Sequence, residues 1–380
     1  MATMDADIQV IGAGIGGVAA AIALAQRGAR VRILEQAEAV TEVGAGLQIS
    51  ANGMVVLRAL GVVDPEPAGA TRSQGTEIRD FASGRLVMHM PAPQAGPTWY
   101  FHRADLLGLL LERARALGVE IELGQAVAGY GADGAGCVLT MADGTQRRQA
   151  VVVAADGGRS VARAWVDGAG QAQFSHQVAW RALVPGQPGA LSRAVLTMGP
   201  GQHVVTYPLR GGALTNIVAV EERGDWTAEG WRQQGDPAEL RTRFGAFGGA
   251  VGDVLRRVET AHIWALYLRP VARSWSRDGV VLLGDAAHPT LPFMAQGACL
   301  ALEDAWVLAD RLAAQGMGGL QSYEAIRRPR AAAVVNAAAG NARKFHLRGA
   351  ARWAAQTALR LGGARLAPRY DWIYGHDVTA

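Results

Sequence analysis

The feature that most constrains this chain is Gly12-Ala-Gly14-Ile-Gly16-Gly17, a GxGxxG turn directly behind the apolar run Ile8–Ile11. After it come Ile15–Gln26, rich in alanine and leucine, and a second β-rich run, Arg30–Glu35. Strand, glycine turn, helix and strand make a βαβ unit with a right-handed crossover. Gly12 permits the tight turn, Gly14 lets a pyrophosphate approach the backbone, and Gly17 lets helix and strand pack closely. The helix start offers free N–H groups and a positive dipole end to phosphates. Glu35 ends the second strand, placed to accept from a ribose hydroxyl and to disfavour a 2′-phosphate. The turn alone leaves open whether the dinucleotide is FAD or NAD.

A length of 380 residues suggests two or three packed units at about 100–200 residues each. Half of the side chains are hydrophobic, enough for a large core, which excludes disorder as the main state. The two cysteines, Cys137 and Cys299, cannot build a disulfide framework, a CxxC pair or a zinc site, so no metal is expected. They fit a reducing, cytoplasmic compartment. The opening MATMDADIQV carries acids where a signal peptide has basic residues. No run of about 18 apolar residues occurs, so no membrane span is expected. The net charge of +4 is a property of the C-terminal tail: residues 324–380 hold ten basic and three acidic side chains, leaving 27 and 30 elsewhere. That is not a distributed basic groove, and nucleic acid is not expected as a partner.

Helical spacing over Arg103–Leu117, stopped at Gly118, is followed by strand-like runs at Val119–Leu123, Ala126–Tyr130, Val138–Met141 and Val151–Ala155, with Asp143-Gly144 as a hairpin turn. From about Phe174 to Trp275 short alternating runs take over, with His203–Tyr207 and Leu214–Val220 as strands and Pro237–Arg257 as a helix. The α/β pattern resumes at Val280–Leu283, then helices over Gly297–Ala314 and Leu320–Lys344. The expected fold is α/β: a Rossmann-like nucleotide domain (1–72, 98–173 and 276–345) interrupted by a sheet-rich second domain (74–97 and 174–275), with a helical tail (346–380).

Two further motifs follow buried strands. Asp156-Gly157 leads to Ser160 and Arg163, and Gly284-Asp285 continues through Pro292 and Gln296-Gly297-Ala298 into a helix. An Asp at the carboxyl end of such a strand lies where the polyol of an extended cofactor would run.

In this order the GxGxxG, DG (156–163) and GD (284–289) motifs resemble those of the single-component FAD-dependent aromatic hydroxylases, the class containing p-hydroxybenzoate hydroxylase, over nearly the whole chain. EVGAGLQIS, HVVTYPLRGG, AQGACLALEDA and the ending YDWIYGHD look most like 3-hydroxybenzoate 6-hydroxylase, salicylate hydroxylase and 6-hydroxynicotinate 3-hydroxylase. The resemblance implies that Asp285 binds the ribityl chain, that Arg103 and Glu35 contact FAD, and that Gly297 and Ala298 lie beside the flavin pyrimidine ring. Asp156 and Arg163 are implied near FAD and, in some members, near the pyridine nucleotide. Gln48 is grouped with these cofactor positions. The 6-hydroxynicotinate enzymes look to have a histidine there, so glutamine tilts the substrate toward a hydroxybenzoate, such as 3-hydroxybenzoate or salicylate.

The implied reaction uses NADH or NADPH and O2 to hydroxylate a small phenolic acid through a C4a-hydroperoxyflavin. A helix starting near Gly297 would aim its positive end at the flavin N1/C2 carbonyl, worth roughly 0.3–2 kcal/mol toward the anionic reduced flavin. The ring is more nucleophilic as phenolate, and a general base is typically worth about 10²–10⁴-fold. His203 suits that task, with an ordinary pKa of about 6.5. Tyr207, four residues on, shares its strand face, and in the resemblance both line the substrate pocket. Gln296 matches a pocket glutamine. His203, Tyr207 and Gln296 are thus the catalytic candidates.

His288 and Cys299 read as structural, and the ten tryptophans as core and domain-interface residues first. The basic tail, with Trp353 and Trp372, reads as a helix packed on the FAD domain with a solvated arginine face. A homodimer contact there, or adsorption to an anionic membrane, is the minor alternative. A disulfide-reductase-type flavoprotein would need a second dinucleotide fingerprint and a cysteine pair, and neither is present. Two other classes stay open: an FAD-dependent oxidase or dehydrogenase without oxygen insertion, and a non-catalytic NAD(P)-binding sensor.

Overall fold

A computed structural model of the chain describes residues 4, 6–40, 45–64, 67, 69–134, 136–168, 170–226, 230, 233–363 and 367–380. Residues 42–44 of EVGAGLQIS, and 1–3 and 5 of the opening segment, lie outside them.

Asp7–Ile11 pairs in parallel with Arg30–Leu34 on one side and Val151–Ala154 on the other. The six-stranded sheet runs Ser276–Arg277, Val280–Leu282, Val151–Ala154, Asp7–Ile11, Arg30–Leu34, Glu120–Glu122, antiparallel only at its first pair. The VVVA and VVL strands are buried throughout, as parallel strands covered on both faces must be. The helix Ile15–Ala25 packs on one face together with Arg103–Ala116 and Gly297–Gln315.

A second sheet has eight strands, in the order Gln234–Gly235, Ala261–Leu268, Gln173–Pro185, Leu214–Glu222, Gln202–Leu209, Ala194–Gly199, Thr76–Asp80, Leu86–Met90. Only Ala194–Gly199 against Thr76–Asp80 is parallel. The Gly297–Gln315 and Gly319–Phe345 helices have the expected spans within two residues.

Two expectations need correction. Pro237–Arg257 is two helices, Pro237–Arg243 and Gly249–Arg256. The break places Phe244 and Phe247 in the core, gives the Gly248 N–H to Phe81 O at 2.8 Å, and puts Gly249 at φ +62°, which a continuous helix cannot hold. Of the tail, the helix Gly349–Gly362 packs on Leu86–Met90 of the eight-stranded sheet, not on the nucleotide-binding sheet. Asp371–Tyr374 packs on the nucleotide-binding domain as expected, with Ile373 buried beside Leu300 and Arg330 donating to the Trp372 and Ile373 carbonyls at 2.9 Å. Asp80 fixes the Gly349–Gly362 helix, accepting from Arg352 and from Gln356 Nε2 (3.3 Å). Burial alone would raise the Asp80 carboxyl, but hydrogen bonds from Ser83, Gln356 and Arg352 bring it down to about 2. Among the described residues no helix is long and apolar enough to cross a membrane.

Candidate active site

The two sheets share a cavity of about 1280 Å³, lined by Gly14, Gln48, Arg103, Asp285, Gly297 and Ala298 at one end and by His203 and Tyr207 at the other. The three motif glycines differ in why they are glycine. A Cβ on Gly12 (φ +99°) would lie 2.6 Å from Ala155 O, and one on Gly17 would lie 2.0 Å from Gly12 O. Gly14 meets nothing within 4 Å and borders open cavity at the start of the first helix. Glu35 accepts from the Ala13 N–H at 2.8 Å and the Ala37 N–H at 3.0 Å. A carboxylate has about four lone-pair sites, so this one keeps capacity for a ligand hydroxyl.

At the GD turn, Gly284 (φ +61°) donates its N–H to Asp304 Oδ2 at 3.1 Å and lets Asp285 project into the cavity. Asp285 is exposed to that cavity, yet the protein mass around it raises its carboxyl through desolvation, with His288 and Arg103 pulling the other way. Asp285 Oδ1 lies 4.0 Å from where a Gly297 Cβ would stand, beside the N-terminus of the Gly297–Gln315 helix. No side chain caps that helix start. Gln48 faces the same space from the strand Gly46–Ile49, and Arg103 from the first position of its own helix.

Gln296 borders the cavity and is held by its amide: Nε2 donates to Ser50 Oγ and Oε1 accepts from Asn52 Nδ2, both at 2.9 Å, which leaves its second N–H for a ligand. Asn52 also donates to Glu303 Oε1 at 2.7 Å. Behind it Arg327 pairs with Glu303 (2.6 Å) and Asp304 (2.7 Å), and His288 Nε2 meets Asp304 Oδ2 at 2.5 Å, all fully buried. Burial would raise the Asp304 carboxyl, but His288 and Arg327 hold it at about 2. His288 is therefore structural, as expected, and buried Cys299 sits 3.6 Å from Ser50 Oγ. Glu303-Asp304, a pair of acids inside the otherwise apolar AQGACLALEDA, was the sequence signal for this buried network.

The DG motif lies partly aside. Asp156 caps the turn by accepting from the Val161 N–H at 3.0 Å, its carboxyl raised by burial, while its neighbours Ala155 and Gly157 line the cavity. Arg163 donates to the carbonyls of Pro270, Ala286 (3.5 Å) and Ala287 (3.4 Å), which commits its guanidinium to bracing the GD turn.

At the other end, His203 and Tyr207 are both buried in the strand Gln202–Leu209. Tyr207 packs on Tyr100 (centroids 5.0 Å), whose hydroxyl lies 2.7 Å from Ser73 Oγ and is pushed up to about 12 by burial. Gly46 must be small, since a Cβ there would lie 2.6 Å from the Tyr207 hydroxyl oxygen; its N–H donates to Asn216 Oδ1 at 2.8 Å. His203 stands edge-on between Phe293 and Phe345, with centroids at 5.4 and 5.3 Å. Its Nδ1 is 2.8 Å from Nε2 of His346, a residue for which the sequence offers no motif. Desolvation, then the His346 ring, push His203 well below the ordinary histidine value, which keeps the ring neutral.

The residues present fit an extended FAD: open space at Gly14 for the diphosphate, a carboxylate facing the cavity for a polyol, and an uncapped helix start for the ring. A family model described as an FAD binding domain matches residues 5–338. The chain is 33% identical to 3-amino-4-hydroxybenzoate 2-monooxygenase PtmB3 of Streptomyces platensis, covering 98% of this chain and 96% of that one. It is 31% identical to 3-hydroxybenzoate 6-hydroxylase of Polaromonas naphthalenivorans (strain CJ2), covering 98% and 97%. Among solved structures, a salicylate hydroxylase substrate complex superposes with a TM-score of 0.82 at 27% identity, covering 98% and 96%. Klebsiella pneumoniae HpxO, complexed with FAD and uric acid, gives 0.84 at 26%, covering 96% and 95%.

Proposed function

Because the chain belongs to the FAD binding domain family and is an FAD-dependent aromatic hydroxylase, we propose that it hydroxylates a small phenolic acid of the hydroxybenzoate type, with NADH or NADPH as reductant. The observation that carries the substrate class is His203 in the same cavity as Asp285 and Gly297, neutral, with Nδ1 taken by His346 and Nε2 left for a ligand. Lys344 and Arg369 line this cavity and suit an acid, and Tyr100, Tyr207 and Phe293 suit an aromatic ring.

Bound FAD, once reduced and exposed to O2, supplies the electrophilic oxygen. Gly14 and Glu35 would hold its adenosine diphosphate end, with Gly12 and Gly17 shaping the turn that presents them. Asp285 and Arg103 hold its middle, and Gly297, Ala298 and Gln48 border its ring. His203 accepts the phenol proton at Nε2 and raises the electron density of the ring. Tyr207 and Tyr100 wall the ring in and keep water out. Gln296, held by Ser50 and Asn52, positions the helix start and presents its remaining N–H to the cavity.

The test is a panel of 3-hydroxybenzoate, salicylate and 3-amino-4-hydroxybenzoate with the FAD-loaded enzyme, NADH or NADPH, and 18O2. Stimulated reductant oxidation with one labelled oxygen in the product supports the proposal. Reductant consumption matched by peroxide release, with no hydroxylated product from any phenol, would assign an oxidase instead.

A further inference from the structure

We propose that His203, His346 and Glu222 form a proton relay that carries the phenol proton from the buried pocket to the protein surface. This rests on the hydroxylase reading above and adds the route by which its base is discharged. His203 is 1% exposed, so a proton taken from a ligand has no direct path to water. His203 Nδ1 is 2.8 Å from His346 Nε2, and His346 Nδ1 is 3.2 Å from Glu222 Oε1. The Glu222 side chain is 40% exposed, and its other oxygen meets the exposed guanidinium of Arg348 at 2.5 Å. Three elements are joined: the strands Gln202–Leu209 and Leu214–Glu222, and the residue just past the helix Gly319–Phe345.

The protons balance along this line. In the resting tautomers, His203 donates Nδ1–H to His346, and His346 donates Nδ1–H to Glu222. The phenol O–H breaks as its proton bonds to His203 Nε2. His203 Nδ1–H passes to His346 Nε2, His346 Nδ1–H passes to Glu222 Oε1, and Glu222 gives its proton to water. No oxidant or reductant takes part, and the reverse sequence returns a proton to the product phenolate. Burial disfavours a lasting charge on either ring, and His346, like His203, is held low by desolvation, with Glu222 opposing. A concerted transfer avoids placing charge on the pair. The Gln177 amide lies 3.3 Å from His346 Nδ1, and its otherwise partnerless oxygen would accept the same proton with the amide turned over. A single fixed base would need none of this second layer.

The experiment uses FAD-loaded wild type, His346→Gln, His346→Ala and Glu222→Gln, with 3-hydroxybenzoate or whichever panel phenol gives product. Stopped-flow absorbance follows phenolate formation on mixing without reductant, and a pH indicator follows proton release. His346→Gln keeps a hydrogen-bond partner for His203 but cannot pass a proton, so it should slow both signals by at least about tenfold, within the range of general base catalysis. Glu222→Gln should slow proton release in the same direction. Imidazoles added to His346→Ala should restore the rate, with a rate that follows the carrier's pKa. Unchanged rates in His346→Gln would overturn the relay. So would a slowdown that no carrier rescues, because His346 would then only position the ring. Should His346→Gln lose FAD, Glu222→Gln at the half-exposed end decides alone. Absence of labelled product in wild type would overturn the hydroxylase reading and the relay with it, whereas product with unaffected variants would overturn only the relay.

Discussion

Asn52 Nδ2 donates to Gln296 Oε1 at 2.9 Å, tying the helix Ala51–Ala59 to the residue that precedes the long helix Gly297–Gln315. The same amide donates to Glu303 Oε1 at 2.7 Å, so one buried side chain sets the position of the helix start that faces the cavity. Asn52→Ala leaves the buried Gln296 Oε1 without a donor, at about 1–3 kcal/mol where nothing refills the space, while Glu303 Oε1 keeps Arg330 Nη2 at 2.7 Å. Melting should fall by several degrees at about 2–4 °C per kcal/mol, and FAD should dissociate faster. Thermal melts with and without FAD check this; an unchanged melt would mean the helix start is held elsewhere.

Gly14 and Gly17 should separate binding from folding. Gly17→Ala drives a methyl to 2.0 Å from Gly12 O, against backbone that cannot yield, and should give little folded protein. Gly14 has φ −76° and ψ 178°, open to any residue, and space around its missing Cβ. Gly14→Ala should fold and melt as the wild-type apoprotein does, but bind FAD at least about tenfold more weakly, a loss of roughly 1.4 kcal/mol. FAD titration by flavin fluorescence measures it. Equal FAD affinity would remove Gly14 from the phosphate site.

Much of this was legible in the chain because it is local. The βαβ unit, the two Asp-bearing turns and the long helix after Gln296 each follow from a few adjacent residues, and their order suffices to place a cofactor. Long-range pairing was not legible. His346 follows the Gly319–Phe345 helix with no neighbour that marks it, and only the folded sheet brings it to His203, 143 residues away in sequence. Gln296 lines the cavity, as its matching position implied; that its amide is anchored by Ser50 and Asn52 depends on a helix some 250 residues earlier. The tail helix went to the other sheet through Asp80, whose partners could not be read from sequence.

Asp285 makes no side-chain hydrogen bond among the described residues and stands exposed to the cavity, so no packing or pairing of the apoprotein depends on its carboxyl. Asp285→Ala should therefore leave apoprotein melting unchanged, while shrinking the rise in melting temperature that FAD produces, since that rise follows RT ln(1 + [L]/Kd). Melts across an FAD concentration series test both halves. An undiminished FAD-dependent rise would contradict the placement of Asp285 at the cofactor.

The buried histidines set a pH dependence of stability. His203 and His346 have folded pKa values below their unfolded ones, both chiefly through desolvation. Between the two values the unfolded chain binds more protons, so their contribution is complete above about pH 6.5 and is lost as pH falls toward the folded values. Asp156 and Asp285, raised by burial, act in the opposite sense from the ordinary carboxylate range upward. The clean measurement is thus a difference. Urea melts of wild type should lose stability between about pH 6.5 and 5, and His203→Gln should flatten that slope. A slope identical in the two would mean that His203 stays neutral in both states.

His203→Gln also distinguishes a base from a wall. Glutamine preserves the volume between Phe293 and Phe345 and a hydrogen-bonding group toward His346, but it cannot take up a proton. If His203 deprotonates the phenol, hydroxylation at neutral pH should fall by about 10²–10⁴-fold, whereas reduction of the bound flavin by NADH should change far less. Raising the pH toward the phenol's own pKa should recover part of the loss, because hydroxide then does what the imidazole did. Rapid-quench product formation and anaerobic flavin bleaching, measured on the same preparation across pH, give the two rates. Equal slowing of both, with no recovery at high pH, would make His203 a packing residue and leave the phenol to ionise by another route.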